Sequence, residues 1–362
     1  MVWNENRDKI QKMEAHYFHY NEDFQLESGD QLKGFTLKYC TFGKPNHDFS
    51  NVVWVCHALT GNAEVTDWWA GLFGDGSLFN PDEHFVICAN VLGSCYGSTG
   101  PLSINPDTGE PYFHAFPQLT IRDIVNALDL LRESLGITHI QTLIGGSLGG
   151  QQAIEWALKR PRLMENLILA ATNAVHSPWG VAFNETQRLA LEADPTWLEN
   201  NEKAGQNGLK AARAIAMLSY RNYNTYDVTQ QEGTNENIDE FRASSYQRYQ
   251  GEKLLSRFNA YSYWSLSKAM DSHNVARGRG SLQDALQNIE AYTHVIGVTT
   301  DILFPVSEQR FIARYVPNVT YEEINSTYGH DGFLVETEKI ASAIKAFFRH
   351  KDKKKLVYDQ GC

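Results

Sequence analysis

Ser147 stands in the string TLIGGSLGGQQAIEWAL, residues 142–158, with Gly145, Gly146, Gly149 and Gly150 around it. The apolar run before it reads as a strand, and Gln151 to Leu158 after it reads as a helix. A strand-to-helix turn of the form G-x-S-x-G holds a serine hydroxyl out as a nucleophile. The same glycines would also serve a tight, close-packed turn with no chemistry in it. A serine hydroxyl attacks only when a base takes its proton, and an imidazole base needs an acid that fixes its tautomer. On an α/β-hydrolase scaffold that acid and then a histidine follow the nucleophile, each at a strand end. Both are present in that order. Asp301 directly follows the strand-like VIGVTT, and His330 lies in TYGHDGF after VTYEEIN. His294 opens a strand, and His176 and His273 fall in a helical region, so they fit the base less well. Acyl transfer also needs two backbone N–H groups for the oxyanion. Leu148, after the nucleophile, and Leu59, in the turn CHALTG after the strand-like NVVWV, are the candidates. Alone, each feature has an ordinary reading as a turn, a cap or a loop residue. Their order and their shared position at strand ends favour the catalytic one.

The elements that must position these residues alternate. NVVWVCHAL (51–59), HFVICANVLG (84–93), HIQTLIGGS and NLILAAT (166–172) are apolar strand-like runs. LTIRDIVNALDLLRESLG between them carries Ile121, Ile124, Val125, Leu128 and Leu131 at helical spacing, with Gly136 as its stop. Apolar strands alternating with helices predict a parallel sheet covered on both faces. QLKGFTLKYCTFG predicts part of an edge hairpin. From about residue 174 to 288 the strands stop. ETQRLALEA, NGLKAARAIAMLSYRNY and EKLLSRFNAYSYWSLSKAM are helical, separated by turn clusters such as QQEGTNEN. Strands resume at THVIGVTTD (293–301) and VTYEEIN (319–325), and EKIASAIKAFFRH is a closing helix. The expected organisation is an α/β core over residues 1–173 and 290–352, a helical lid inserted over 174–289, and a tail over 353–362.

Composition narrows the partners. The chain has 362 residues, 42% of them hydrophobic, which is enough for a large core. Its net charge of −11 argues against nucleic acid, whose binders carry basic patches. Cys40, Cys56, Cys88, Cys95 and Cys362 form no C-x-x-C pair and no metal-ligand rhythm, so no metal is expected. Their usage fits a reducing compartment, and the expected location is cytoplasmic. The charged start, MVWNENRDKIQKMEAHYF, has no signal-peptide core. No apolar run reaches the roughly 18 residues of a membrane helix, so no membrane partner is expected.

Beyond these features, the chain resembles the homoserine O-acetyltransferases of methionine biosynthesis. HALTGNAE, NVLGSCYGSTGP, IGGSLGGQQAIEWA, GLKAARAIAMLSYR, YQGEKLLSRF and YGHDGFL carry the resemblance across nearly the whole chain. It implies an α/β-hydrolase fold with Ser147 as nucleophile, Asp301 as acid, His330 as base, and Leu59 and Leu148 as oxyanion donors. It also implies Arg213 and Tyr220 as homoserine-binding residues, and Asp331 as the group that holds the substrate's amino group. The implied reaction moves an acetyl group from acetyl-CoA, a co-substrate, to the hydroxyl of L-homoserine, with no cofactor and with a homodimer built through lid helices. Siblings of the family use succinyl-CoA or serine, and the same triad would make an esterase if water reached the acyl-enzyme. A ligand-binding receptor on this fold is a further alternative. The chain departs from the family's pattern at RFNAYSY, with Asn259 and Tyr261, and at DSHN, with Asn274.

Overall fold

The computed structural model describes the backbone of residues 12–359 and the side chains of residues 12–351. Residues 1–11 and the last three of the expected tail lie outside the described residues. Two long strands, β1 (Glu14–Gln25) and β2 (Gln31–Phe42), form an antiparallel hairpin with a register shift between Tyr20 and Asp23. This is the edge hairpin that the sequence predicts. Then follow β3 (Val52–Cys56), the short α1 (Val65–Trp68), β4 (Phe85–Ala89), α2 (Ile121–Ser134), β5 (Ile140–Gly146), α3 (Leu148–Lys159) and β6 (Met164–Ala170). Six helices separate β6 from the next strand: α4 (Pro178–Glu192), α5 (Gln206–Tyr220), α6 (Tyr223–Thr229), α7 (Arg242–Leu255), α8 (Ala260–Asp271) and α9 (Leu282–Gln287). The chain closes with β7 (Tyr292–Val298), α10 (Val306–Tyr315), β8 (Val319–Ile324), α11 (Gly332–Val335) and α12 (Thr337–Asp359).

The eight strands make one sheet in the order β1-β2-β4-β3-β5-β6-β7-β8, parallel from β4 through β8. Side chains alternate across a strand, and here both faces are apolar. Trp54, Ile87, Leu143, Leu167 and Val295 join one core with residues of α2 and α3. Val53, Val55, Ile144, Ile168 and Ile296 join a second core with Trp69 and with Ile340 and Ile344 of α12. Burial on both faces is why these strands read as unbroken apolar runs. Cys40, Cys56 and Cys88 sit buried in β2, β3 and β4 as free thiols.

Several boundaries differ from the sequence reading, each for a local reason. α3 begins at Leu148, not at Gln151, because two glycines enter its first turn to let backbones meet. α4 begins about two turns before Glu185. Ser177 caps it, accepting a hydrogen bond from the Gly180 N–H, and Pro178 occupies the first helical position. The stretch EKLLSRFNAYSYWSLSKAM is two helices, broken where Asn259 caps α8 through the Ser262 N–H. α6 and α9 are short helices that the sequence reading lacks. α12 runs to Asp359, past the boundary expected at residue 352. No helix among the described residues is long and apolar enough to cross a membrane.

Candidate active site

The parallel strands deliver their following loops to one edge of the sheet, where the expected residues meet. Ser147 links β5 to α3 with φ 57° and ψ −127°, a conformation a side chain adopts only when its surroundings impose it. Its N–H donates to the Ala170 carbonyl at 3.0 Å, and its own carbonyl accepts from Thr172 Oγ1 at 2.9 Å. None of the four neighbouring glycines has a positive φ. They are there for close approach, not for a tight turn. A Cβ on Gly149 would fall 2.0 Å from the Cys56 carbonyl oxygen, and one on Gly145 2.2 Å from the Gly149 oxygen. A Cβ on Gly146 would fall 2.4 Å from the Phe333 ring, and one on Gly150 would meet Thr172.

His330 sits on a single 3₁₀ turn after β8, with its Nε2 2.9 Å from Ser147 Oγ and its Nδ1 2.6 Å from Asp301 Oδ2. Asp301 Oδ1 accepts the N–H groups of Leu303 and Phe304, both at 2.8 Å, so the carboxylate cannot rotate freely. A carboxylate on Nδ1 favours the tautomer protonated there and leaves Nε2 to accept from the serine hydroxyl. Phe304 stacks on the imidazole at 5.0 Å, and the Phe333 ring meets it edge-on at 5.3 Å. All three polar residues are buried. Burial alone would lower the imidazole pKa, but the charge of Asp301 and its hydrogen bond outweigh it, so the pKa stands above the ordinary value.

Leu148 opens α3, where helix N–H groups are free of intrahelical partners, and Leu59 lies in the loop after β3. Two residues that the sequence reading missed clamp these segments together. Gln152 Nε2 donates to the carbonyls of His57 at 3.0 Å and of Leu148 at 3.2 Å. His57 is fully buried. Its Nε2 accepts the Val91 N–H at 3.0 Å, so its Nδ1 is the donor to the Ala58 carbonyl at 2.8 Å. Burial holds its pKa down at about 4, which keeps it a neutral strut. The one hint in the sequence is a histidine placed next to a strand end.

The three expected substrate residues gather at the base. Arg213 and Tyr220, seven positions apart on α5, share a face, with the guanidinium carbon 5.2 Å from the Tyr220 ring centre. Tyr220 in turn lies 5.9 Å from the His330 ring. Asp331 follows His330, and its Oδ2 is 3.1 Å from Arg221 Nε. Arg221 also covers the Tyr328 ring at 5.7 Å. This arginine was not expected, since nothing local in the sequence ties the end of α5 to a turn 110 residues later. Behind the triad, Glu308 on α10 accepts from Asn173 Nδ2 at 3.0 Å, and Asn173 accepts from Gln151. Burial pushes the Glu308 carboxyl up to about 7. The departures from the family's pattern have structural work: Asn259 is a helix cap, Tyr261 Oη donates to the Glu199 carbonyl at 2.6 Å, and Asn274 accepts from the Ala276 N–H. Among the described residues no group of three or more histidine, cysteine, aspartate or glutamate side chains is arranged to hold a metal ion.

Comparison with known proteins places this geometry. Residues 51–337 match the family model described as alpha/beta hydrolase fold. A homoserine O-acetyltransferase of Cyclobacterium marinum is 52% identical over 93% of this chain and 96% of its own length. The crystal structure of a homoserine O-acetyltransferase from Staphylococcus aureus superposes with a TM-score of 0.77 at 30% identity, covering 93% of this chain and 95% of that one. The crystal structure of esterase E22 is also similar, with a TM-score of 0.83 at 26% identity, over 92% of this chain and 99% of that one. A near-full-length match at that level of identity, on a fold with a serine at the β5–α3 turn, goes well beyond a shared scaffold: the chain belongs to the homoserine O-acetyltransferase family, within the α/β-hydrolase fold.

Proposed function

We propose that this chain transfers the acetyl group of acetyl-CoA to the hydroxyl of L-homoserine, giving O-acetyl-L-homoserine and CoA, through an acetyl-serine intermediate. The observation that carries the reading is the unbroken chain Asp301–His330–Ser147, set beside Arg213 and Asp331. His330 Nε2 takes the Ser147 proton as Oγ attacks the thioester carbonyl. The N–H groups of Leu59 and Leu148 hold the oxyanion. Collapse breaks the C–S bond, and the departing sulfur takes the proton back from His330. Homoserine then binds with its carboxylate on Arg213 and its ammonium on Asp331. His330 removes its hydroxyl proton, the oxygen attacks the acetyl carbonyl, and collapse returns the proton to Ser147 Oγ. Each step needs only a nucleophile, a base and oxyanion donors, so acetyl-CoA enters as a co-substrate and no metal takes part.

The test is mass spectrometry of the intact chain and its peptides after incubation with acetyl-CoA alone. The expected result is one acetyl adduct on the peptide containing Ser147, discharged by L-homoserine and absent from Ser147→Ala. Full transfer activity with an unmodified Ser147 would overturn the mechanism. The same assay with succinyl-CoA, serine and water separates the sibling transferases and the esterase. Faster discharge by water than by homoserine would favour the esterase.

A further inference from the structure

Buried polar atoms are nearly always hydrogen-bonded, so those without a partner mark places where a structure expects one. Four of them belong to one small region of the inserted helices: Arg213 Nε, Arg221 Nε, Tyr226 Oη and Gln247 Oε1. Gln247 Nε2 is spent on the Ala214 carbonyl, beside Arg213, at 3.2 Å. Tyr226 lies on α6 with its ring edge-on to Tyr246 of α7 at 5.8 Å. α6 is anchored against the turn that bears the base, because Thr225 Oγ1 donates to the Thr327 carbonyl. The region therefore faces the same turn as His330 and Asp331. Three of the four atoms are donors; Arg221 Nε already lies 3.1 Å from the Asp331 carboxylate, which leaves Arg213 Nε and Tyr226 Oη as the open ones. Among the described residues, the carboxylate that acts on this group is that of Asp331, and it is paired by charge with Arg221. A site with more donors than acceptors, and more positive than negative charge, suits a ligand that brings an anionic acceptor group of its own.

We infer that Tyr226 is a specificity-determining residue of the acceptor site, its hydroxyl joining Arg213 in a cradle for the carboxylate of an α-amino acid. The inference rests on the acceptor reading proposed above and extends it to a residue outside the family's expected set. Arg213 supplies the charge. Tyr226 supplies a donor from a second helix, so the carboxylate is gripped from two directions and its plane is fixed. Burial, with Tyr246 adding to it, pushes the Tyr226 hydroxyl up to about 12, while Arg221 and Arg213 pull the other way. The group thus stays protonated, as a donor must. Arg221, held between Asp331 and Tyr328, acts differently, keeping Asp331 from collapsing onto Arg213 before the acceptor arrives.

The test uses three acceptors that differ by one charged group each: L-homoserine, 4-hydroxybutyrate, which lacks the ammonium, and 3-amino-1-propanol, which lacks the carboxylate. Each is measured for its KM as an acetyl acceptor and for its inhibition constant against hydrolysis of p-nitrophenyl acetate. Tyr226→Phe removes one oxygen and keeps the packing on Tyr246, and an unchanged Tm verifies the fold. The expected result is an increase of about tenfold in both constants for L-homoserine and 4-hydroxybutyrate, the size of one hydrogen bond to a charged group. For 3-amino-1-propanol the change should stay under about twofold. Equal effects on all three compounds, or none on the two carboxylates, would overturn the inference. The inhibition constants report on Tyr226 even if the wild-type chain passes no acetyl group to homoserine, an outcome that would overturn the proposed activity instead.

Discussion

At the scale of single residues, the site is a set of groups that cannot choose otherwise. Ser147 is held at a positive φ by a carbonyl on one side and a threonine hydroxyl on the other. Asp301 is fixed by two backbone N–H groups, and His330 is clasped between Phe304 and Phe333. In the proposed mechanism the Asp301 carboxylate both selects the tautomer and stabilises the imidazolium. Asp301→Asn should therefore lower turnover by roughly 10³–10⁴ while the fold persists. Its pH profile should move too. In the wild type the base must be neutral to act, and its pKa is raised, so kcat/KM falls as pH drops through a midpoint above the ordinary histidine value. In the variant that midpoint should shift downward, as measured by initial rates across pH 5–9 in matched ionic strength (~0.1 M). A variant with wild-type turnover and an unmoved midpoint would assign the role of the acid elsewhere.

At the scale of elements, the junction between α5 and the base-bearing turn has no counterpart in the sequence pattern. Gly329, at φ +63°, lets the turn approach the end of α5: a Cβ there would lie 2.9 Å from the Arg221 carbonyl carbon. Arg221 then pins the junction through Asp331 and Tyr328. Arg221→Ala should slow both half-reactions, by roughly 10–100-fold, because small misplacements of a base are costly. Arg213→Ala should slow only the step that uses the acceptor. Burst kinetics with p-nitrophenyl acetate, beside steady-state transfer to homoserine, separate the two, and Arg221→Lys should recover part of the loss. An Arg221→Ala burst at the wild-type rate would show that the pin is unnecessary. The contrast explains what could be read in advance. Ser147, Asp301 and His330 follow strand ends, and strand ends are visible as the place where an apolar run stops. Gln152, His57 and Arg221 act through contacts between segments distant in sequence, for which one chain holds no local signal. The break between α7 and α8 was hidden for another reason. Leu254, Leu255, Phe258 and Tyr261 keep a helical period across it, and only the Asn259 cap interrupts the helix.

At the scale of the whole molecule, burial of neutral imidazoles sets the response to acid. His57, His176 and His294 are held down at about 4, and His273 at about 3, in each case chiefly by burial. Unfolded, all four would titrate near 6.5. The unfolded chain thus binds more protons between about pH 4 and 6.5, and stability must fall as pH falls through that window. Glu308 works in the opposite sense, since its raised pKa makes the folded chain hold a proton that the unfolded chain releases between about 4.5 and 7. Four histidines against one carboxyl leave a net proton uptake on unfolding near pH 5.5. The calorimetric enthalpy of unfolding, measured in buffers of different ionisation enthalpy, should reveal that uptake, and Tm should decline steadily below about pH 6.5. A Tm flat from pH 7 to 5 would contradict the buried neutral state of these imidazoles. The sheet's strand order has a further consequence, for ancestry. The six-helix excursion leaves from β6 and returns at β7, which are neighbours, and a bridge between Val175 and Asn274 draws its two ends together. Such an excursion is a closed module that evolution can lengthen, shorten or swap without reordering one strand. Ser147, Asp301 and His330 belong to the frame, while Arg213, Tyr220 and Tyr226 travel with the module. A change of customer, from an amino acid to water, would then need new helices and no new triad.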